Sequence, residues 1–293
     1  MAEPVFGRLI TAMVTPFDED GAVNYAQARK LAAYLVDVQG NDALVVNGTT
    51  GESPTTTVSE KQALVAEVVD EVGDRAQVIA GVGSFDTAHT ISLVKNNTPA
   101  GVAGLLVVTP YYSKPPQDAI EAHFLAIADA ADLPILVYDI PGRTGVPIAE
   151  KTLTRLARHE NIVAVKDAKA NLWESASVMA NTDLAYYSGD DALTLPLLAL
   201  GAVGVVGTST HFTGAKTKQM IAAFAAGDTA GALAIYRSLL PVYRGVFATQ
   251  GCMLVKAGLA HRGFAPGGMR LPLLAANEAE TAEFVAILDA AGL

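Results

Sequence analysis

The sequence predicts an α/β protein, a (β/α)8 TIM barrel followed by a C-terminal helical subdomain, and three observations carry that expectation. Short apolar runs alternate with longer segments of helical spacing eight times over about 225 residues, the size of such a barrel. The runs are rich in Val, Leu and Ile with little polar alternation, as parallel strands covered on both faces require. Beyond residue 225 the strand signal stops, and apolar residues recur only at spacings of three and four. The barrel is assigned to residues 1–225 and the helical subdomain to residues 226–293.

The first run, Leu9–Thr15, opens the barrel. The turn after it reads TPFDEDG, without the G-x-G-x-x-G that a doubly wound dinucleotide-binding sheet places there, so the closed barrel is preferred over the open sheet. A helical pattern at Asn24–Val38 leads to the run Ala43–Asn47, and one at Ser59–Val72 leads to Gln77–Gly81. The fourth run is Gly104–Thr109. Pro116–Ala131 leads to Ile135–Asp139, and Lys151–Arg158 leads to Ile162–Lys166. Leu184–Ser188 and Val203–Gly207 complete the eight. Between Ala192 and Ala215 the only ionisable side chain is His211, and a hydropathy window could take the segment for a membrane span. Pro196, Gly201, Gly204, Gly207 and a Thr-Ser-Thr run interrupt it, so a helix followed by a buried strand is the better reading. In the tail, Leu233, Tyr236, Leu240, Tyr243 and Phe247 share one helical face, as do Phe284, Ile287, Leu288 and Ala291. No long linker separates the two parts, which are read as one rigid unit.

Composition narrows the function. The chain has 293 residues, 51% hydrophobic and 17% charged, enough to bury a large core. Its 20 Lys and Arg against 30 Asp and Glu give a net charge of −10, which argues against nucleic acid or an anionic membrane as a partner. A small anionic substrate stays open, because two or three local cations can dominate a pocket. Cys252 is the single cysteine, so there is no intrachain disulfide, Fe–S cluster or Cys-based zinc site, and a reducing, cytoplasmic setting is the default. The start, MAEPVFGRLITAMVTPF, lacks the basic region of a secretory signal.

Barrel chemistry sits at the carboxyl ends of the strands. There the sequence places NGTTGES (Asn47–Ser53), TPYYSKP with Tyr111 and Tyr112, YDIPGRTG with Tyr138 and Arg143, KDAK with Lys166, and SGDD (Ser188–Asp191). Lys166 closes an apolar run. Desolvated in the barrel mouth, it would lose its proton more easily and could attack a ketone to form a Schiff base. Alternatively it snorkels to water or pairs with Asp167. Lys169, three positions on, is expected to be exposed. Gly48 and Gly51 permit close backbone approach, and the two threonines between them offer hydroxyls and N–H groups to a carboxylate; a plain tight turn would also explain them. Tyr138 is either a core aromatic or a proton shuttle beside the lysine and a threonine, and Arg143 a solvated charge or a bidentate carboxylate ligand. The five histidines show no metal-ligand spacing, and there is neither a G-x-S-x-G elbow nor a P-loop. Asp190 and Asp191 are read as helix caps in preference to a metal pair, Gly204 and Gly207 as close-packed rim positions in preference to a phosphate site, and Cys252 as a small buried hydrophobe.

In order and spacing, NGTTGES, TPYYSKPP, YDIPGRTGVPI, VKDAK and SGDDAL resemble the dihydrodipicolinate synthase family of class I pyruvate-dependent aldolases, from about Gly7 to the RLPL at Arg270–Leu273. GTTGES and the strand-six lysine are shared with sister aldolases such as N-acetylneuraminate lyases or sugar-acid aldolases, which form the alternative. The resemblance implies an enzyme in lysine and diaminopimelate synthesis that condenses pyruvate with L-aspartate 4-semialdehyde. It implies that Lys166 forms the imine, that Thr50 and nearby amides hold the pyruvate carboxylate, and that Tyr138 relays protons with Thr49 and with Tyr112 of an adjacent subunit. Arg143 would bind the second substrate, while the backbone at Gly189 and Val206 lines the pyruvate pocket. No metal or organic cofactor is implied, and the expected assembly is a homotetramer built as a pair of dimers. Where the family carries a hydrophobic-Ser-Val segment, this chain reads Val206-Gly207-Thr208. At the positions that hold an effector lysine in feedback-inhibited members it has Val58, Phe85 and His89, which implies little feedback.

Overall fold

A computed structural model describes residues 2–96 and 98–293; Met1, the first residue assigned above to the barrel, and Asn97 lie outside the described residues. Eight parallel strands close in chain order. They are β1 (Leu9–Ala12), β2 (Ala43–Val46), β3 (Gln77–Gly81), β4 (Val102–Val108), β5 (Ile135–Asp139), β6 (Ile162–Asp167), β7 (Ala185–Ser188) and β8 (Gly204–Gly207), with β8 paired back onto β1. Around them run α1 (Tyr25–Asp37), α2 (Val58–Val72), α3 (Thr87–Asn96), α4 (Gln117–Asp129), the single turn α5 (Pro141–Thr144), α6 (Glu150–Leu156), α7 (Leu172–Asn181), α8 (Thr194–Leu200) and α9 (Thr210–Ala225).

Although the strands are apolar on both faces, they still sort their side chains by alternation. Ile10, Ala12, Ala43, Val45, Ile79, Leu106, Leu136 and Ala164 fill the barrel interior. Val46, Ala80, Val107, Val137 and Val165 face the helices and meet residues such as Leu31, Leu35, Leu64 and Val68. The amino end is plugged by Phe6 and Tyr187, whose hydroxyl accepts from Phe6 N and donates to Gly7 O. The outer helices begin where polar caps occur. Asn24 accepts from Gln27 N at α1, and Thr57 with Glu60 forms a reciprocal capping box at α2.

The expected strands all exist, β3 and β5 with the expected ends and the other six with shifted ones. β1 stops at Ala12: Met13 N still donates to Val45 O of β2, but beyond it Val14 N donates to His211 Nε2 and the Thr15 hydroxyl to Gly51 O. β8 starts at Gly204, where a Cβ would lie 2.1 Å from Arg8 O; Gly207 is equally crowded by Asp191, so both glycines are close-packing positions as expected. The uncharged stretch Ala192–Ala215 resolves into α8, β8 and the first turn of α9. No helix among the described residues is long and apolar enough to cross a membrane.

Three helices follow, α10 (Thr229–Val246), α11 (Gly251–His261) and α12 (Glu278–Ala290). The stripe expected on α10 is rotated. Ala232, Leu239, Val242, Tyr243 and Val246 are buried, whereas Leu233, Leu240 and Phe247 are exposed. On α12, Phe284 and Leu288 are buried, and Ile287 and Ala291 pack against the core as expected. The sequence reading did not separate α11, which is apolar on nearly every side and therefore shows no amphipathic period.

Candidate active site

Tyr138 on β5 and Lys166 on β6 stand side by side in register, both directed into the barrel mouth, while their neighbours Asp139 and Asp167 face outward. The Lys166 ammonium lies 4.1 Å from the centroid of the Tyr138 ring. Only 4% of Lys166 is exposed, so it does not snorkel. Nor does it pair with Asp167, whose carboxylate accepts from Ser175 Oγ at 2.5 Å and Lys169 N at 2.8 Å on the helix side. Burial lowers the Lys166 amine to about 8, reinforced by the Arg143 charge and opposed by Asp191. Burial also pushes the Tyr138 phenol up to about 12, against the pull of Arg143 and the Thr49 side chain. At neutral pH it is a proton donor that does not ionise.

The loop after β2 wraps this pair. Asn47 turns at φ 61° and Glu52 at φ 55°, and between them Thr49 and Thr50 line the cavity. Gly81 makes the crossing possible, because a Cβ there would sit 2.3 Å from Asn47 O. Thr50 Oγ1 lies 3.4 Å from Thr208 Oγ1. Thr208 is held in turn by buried Asp191, which accepts from Thr208 N, Ser209 N and Ser209 Oγ. Asp190 caps the short turn after β7 by accepting from Ala192 N. Of the two aspartates expected as caps, one is a cap and the other a tie between β7 and β8.

The C-terminal helices reach the same loop. Glu52, turned inward, receives Lys256 Nζ of α11 at 2.7 Å and Arg270 N at 3.1 Å. Lys256 also donates to Gly268 O and lies 4.2 Å over the Phe17 ring, while Arg270 binds Glu60 and Thr55 O. The cavity so enclosed measures about 630 Å³. Arg143 stands on its wall from α5, which ends at Gly145 with φ 81°. A ketoacid placed here would meet an amine that can lose its proton, two hydroxyls, a phenol and a guanidinium.

Residues 5–291 match the model of the Dihydrodipicolinate synthetase family. The chain belongs to the dihydrodipicolinate synthetase family. It is 59% identical to 4-hydroxy-tetrahydrodipicolinate synthase of Cutibacterium acnes over 99% of both chains, and 58% identical to the enzyme of that name from Acidothermus cellulolyticus, covering 98% of this chain and 93% of that one. It also superposes on the dihydrodipicolinate synthase of Cyanidioschyzon merolae, crystallised with lysine bound, with a TM-score of 0.97, 43% identity and coverage of 99% and 100%.

Within this family member, Thr49, Thr50, Tyr138, Arg143, Lys166 and Gly189 converge on one cavity. Two expected residues, Tyr112 and Val206, are not among those that line it; Tyr112 is the one expected to serve an adjacent subunit, and Val206 the one expected to contribute backbone alone. Tyr112 is 93% exposed and held at φ 74°, because the turn after β4 directs it outward; its neighbour Tyr111 faces a small side pocket instead. Val206 is buried among the interior residues of the barrel, and Thr208, two positions on, lines the cavity. Lys169 is not exposed, as its place beyond the predicted strand suggested: β6 runs one residue further, and the side chain folds back to 5% exposure against Asp139 and Glu174. Cys252 is buried as expected and also lines the cavity, together with Phe247 and Gln250. Sequence reasoning passed over the Glu52–Lys256 pair. Its signal was a lone lysine inside the apolar run CMLVKAGLA, a cation that burial obliges to find a carboxylate.

Proposed function

We propose that this chain condenses pyruvate with L-aspartate 4-semialdehyde to give 4-hydroxy-tetrahydrodipicolinate, a step of lysine and diaminopimelate synthesis. The observation that carries the reading is the buried Lys166 amine, lowered to about 8, against Tyr138 and beneath the Thr49–Thr50 loop. Lys166 attacks the keto carbon of pyruvate; water leaves and an imine forms. Thr50 and the loop amides hold the pyruvate carboxylate, with Gly189 and the β8 backbone at Val206 beside it, and the Tyr138 phenol passes the protons. A methyl proton is then lost and the enamine carbon adds to the aldehyde carbon of the semialdehyde, whose carboxylate Arg143 binds. The substrate's amine attacks the imine carbon, closing the ring and releasing Lys166. The iminium is itself the electron sink, so these steps call for no metal or organic cofactor.

The relatives' names favour this reaction over that of a sugar-acid aldolase. In this reading the active form is a cytoplasmic homotetramer, and Tyr112, exposed on the single chain, completes the proton relay in a neighbouring subunit. The test is pyruvate consumption with L-aspartate 4-semialdehyde, N-acetylmannosamine and glyceraldehyde side by side. Turnover with the semialdehyde alone is expected. Turnover with a sugar aldehyde alone would keep the Lys166 imine and overturn the assigned second substrate.

A further inference from the structure

We propose that Lys169, paired with Asp139, is a positioning residue that closes the base of the Arg143 loop and so sets affinity for the second substrate without touching it. The inference rests on the reading in which Arg143 binds that substrate's carboxylate. The chain leaves β5 at Asp139, carries Arg143 through α5, and returns at Ile148 before α6. Both ends of this excursion meet at one point. Ile148 N donates to Asp139 Oδ1 and Oδ2, each at 3.2 Å, and Lys169 Nζ donates to Ile148 O at 3.1 Å. Lys169 Nζ also lies 3.3 Å from Asp139 Oδ2 and 3.2 Å from Glu174 Oε2, with side-chain exposures of 5% for Lys169 and 1% for Asp139. A second tie lies alongside: Gln117 donates to Pro147 O and accepts from Ala149 N.

This network stands on the outer face of the strands that carry Tyr138 and Lys166 inward. Asp139 and Asp167 are register partners, and Lys169 N is fixed to Asp167 Oδ1. Altering it therefore reaches the guanidinium through the loop while leaving the imine-forming residues on their strands. Gly145, in the left-handed region, and the Thr144 hydroxyl, bonded to Ile140 O and Val146 O, make the turn rigid within itself. A rigid turn moves as a body when its base is released. Burial pushes the Asp139 carboxyl up to about 6 even beside the Lys169 cation. Without that cation the carboxyl keeps its proton near neutrality and strands no bare charge.

The experiment compares Lys169→Met, Arg143→Ala and the double variant. For Lys169→Met, borohydride trapping of pyruvate should proceed at the wild-type rate, while KM for the semialdehyde rises about tenfold with little change in kcat. The double variant should be no worse than Arg143→Ala alone, and Lys169→Arg should recover most of the affinity. Amide exchange across residues 140–148 should quicken in Lys169→Met while that of residues 49–56 stays unchanged. An unchanged KM, additive losses in the double variant, or parallel loss of imine formation would overturn the inference. If Lys169→Met fails to fold, Asp139→Asn/Lys169→Met removes both charges and is held to the same outcomes. Should the unaltered enzyme not use the semialdehyde, the proposed reaction falls, and the exchange result alone decides the loop.

Discussion

In the proposed reaction, Lys166 trades stability for reactivity. In the unfolded chain its amine holds a proton up to the ordinary 10.5, whereas in the fold it releases it at about 8. The folded state thus binds fewer protons between those values, and stability rises with pH across that window. The penalty is fully present below pH 8 and gone above 10.5, on the order of 3 kcal/mol. Lys166→Met should therefore raise stability by about 1–3 kcal/mol at pH 7, the gain shrinking toward pH 10.5, while trapping of pyruvate is lost. Denaturant unfolding at pH 7 and pH 10 measures this, and a variant less stable than wild type at pH 7 would contradict it. That Lys166 matters was legible because it ends an apolar run. The burial of Lys169 was not, since spacing alone does not reveal that β6 extends to Asp167 and turns the next lysine back toward the helices.

At the scale of elements, the loop after β2 is held from two sides. Lys61 of α2 donates to Ser53 O and Thr56 O, and Lys256 of α11 grips Glu52. Removing one partner of a buried pair leaves a charge without compensation, so Lys256→Met should cost about 3–5 kcal/mol of stability. Glu52→Gln/Lys256→Met should recover most of it, measured by the urea midpoint. If the double variant is no better than the single, the pair is not what holds the loop. Strands and several outer helices could be read in order because apolar runs and helical spacing are local signals. The tail was harder. The α10 stripe is rotated and α11 carries no period, because α10 is buried against α9 and α12 and α11 against α12, contacts that sequence spacing does not encode.

For the molecule as a whole, barrel closure turns loops separated by more than a hundred residues into one cavity wall. This is why Thr49, Thr50, Tyr138, Arg143 and Lys166 could be named from strand ends, whereas Gly189 came from the family resemblance. Tyr112 marks the limit of that logic. Its side chain points away from its own barrel, exposed like Phe85 on the outside of the single chain, and only the proposed tetramer would give it a site. The cavity also draws Phe247, Gln250 and Cys252 from the C-terminal helices, so barrel and tail build the site together. In the proposed reaction all of this converges on one nucleophilic amine, Lys166. The direct measurement is borohydride reduction in the presence of pyruvate, followed by peptide mapping by mass spectrometry. A single reduced pyruvate adduct on Lys166 is expected, formed faster as pH rises through about 8. An adduct on Lys169, or none at all, would contradict that expectation.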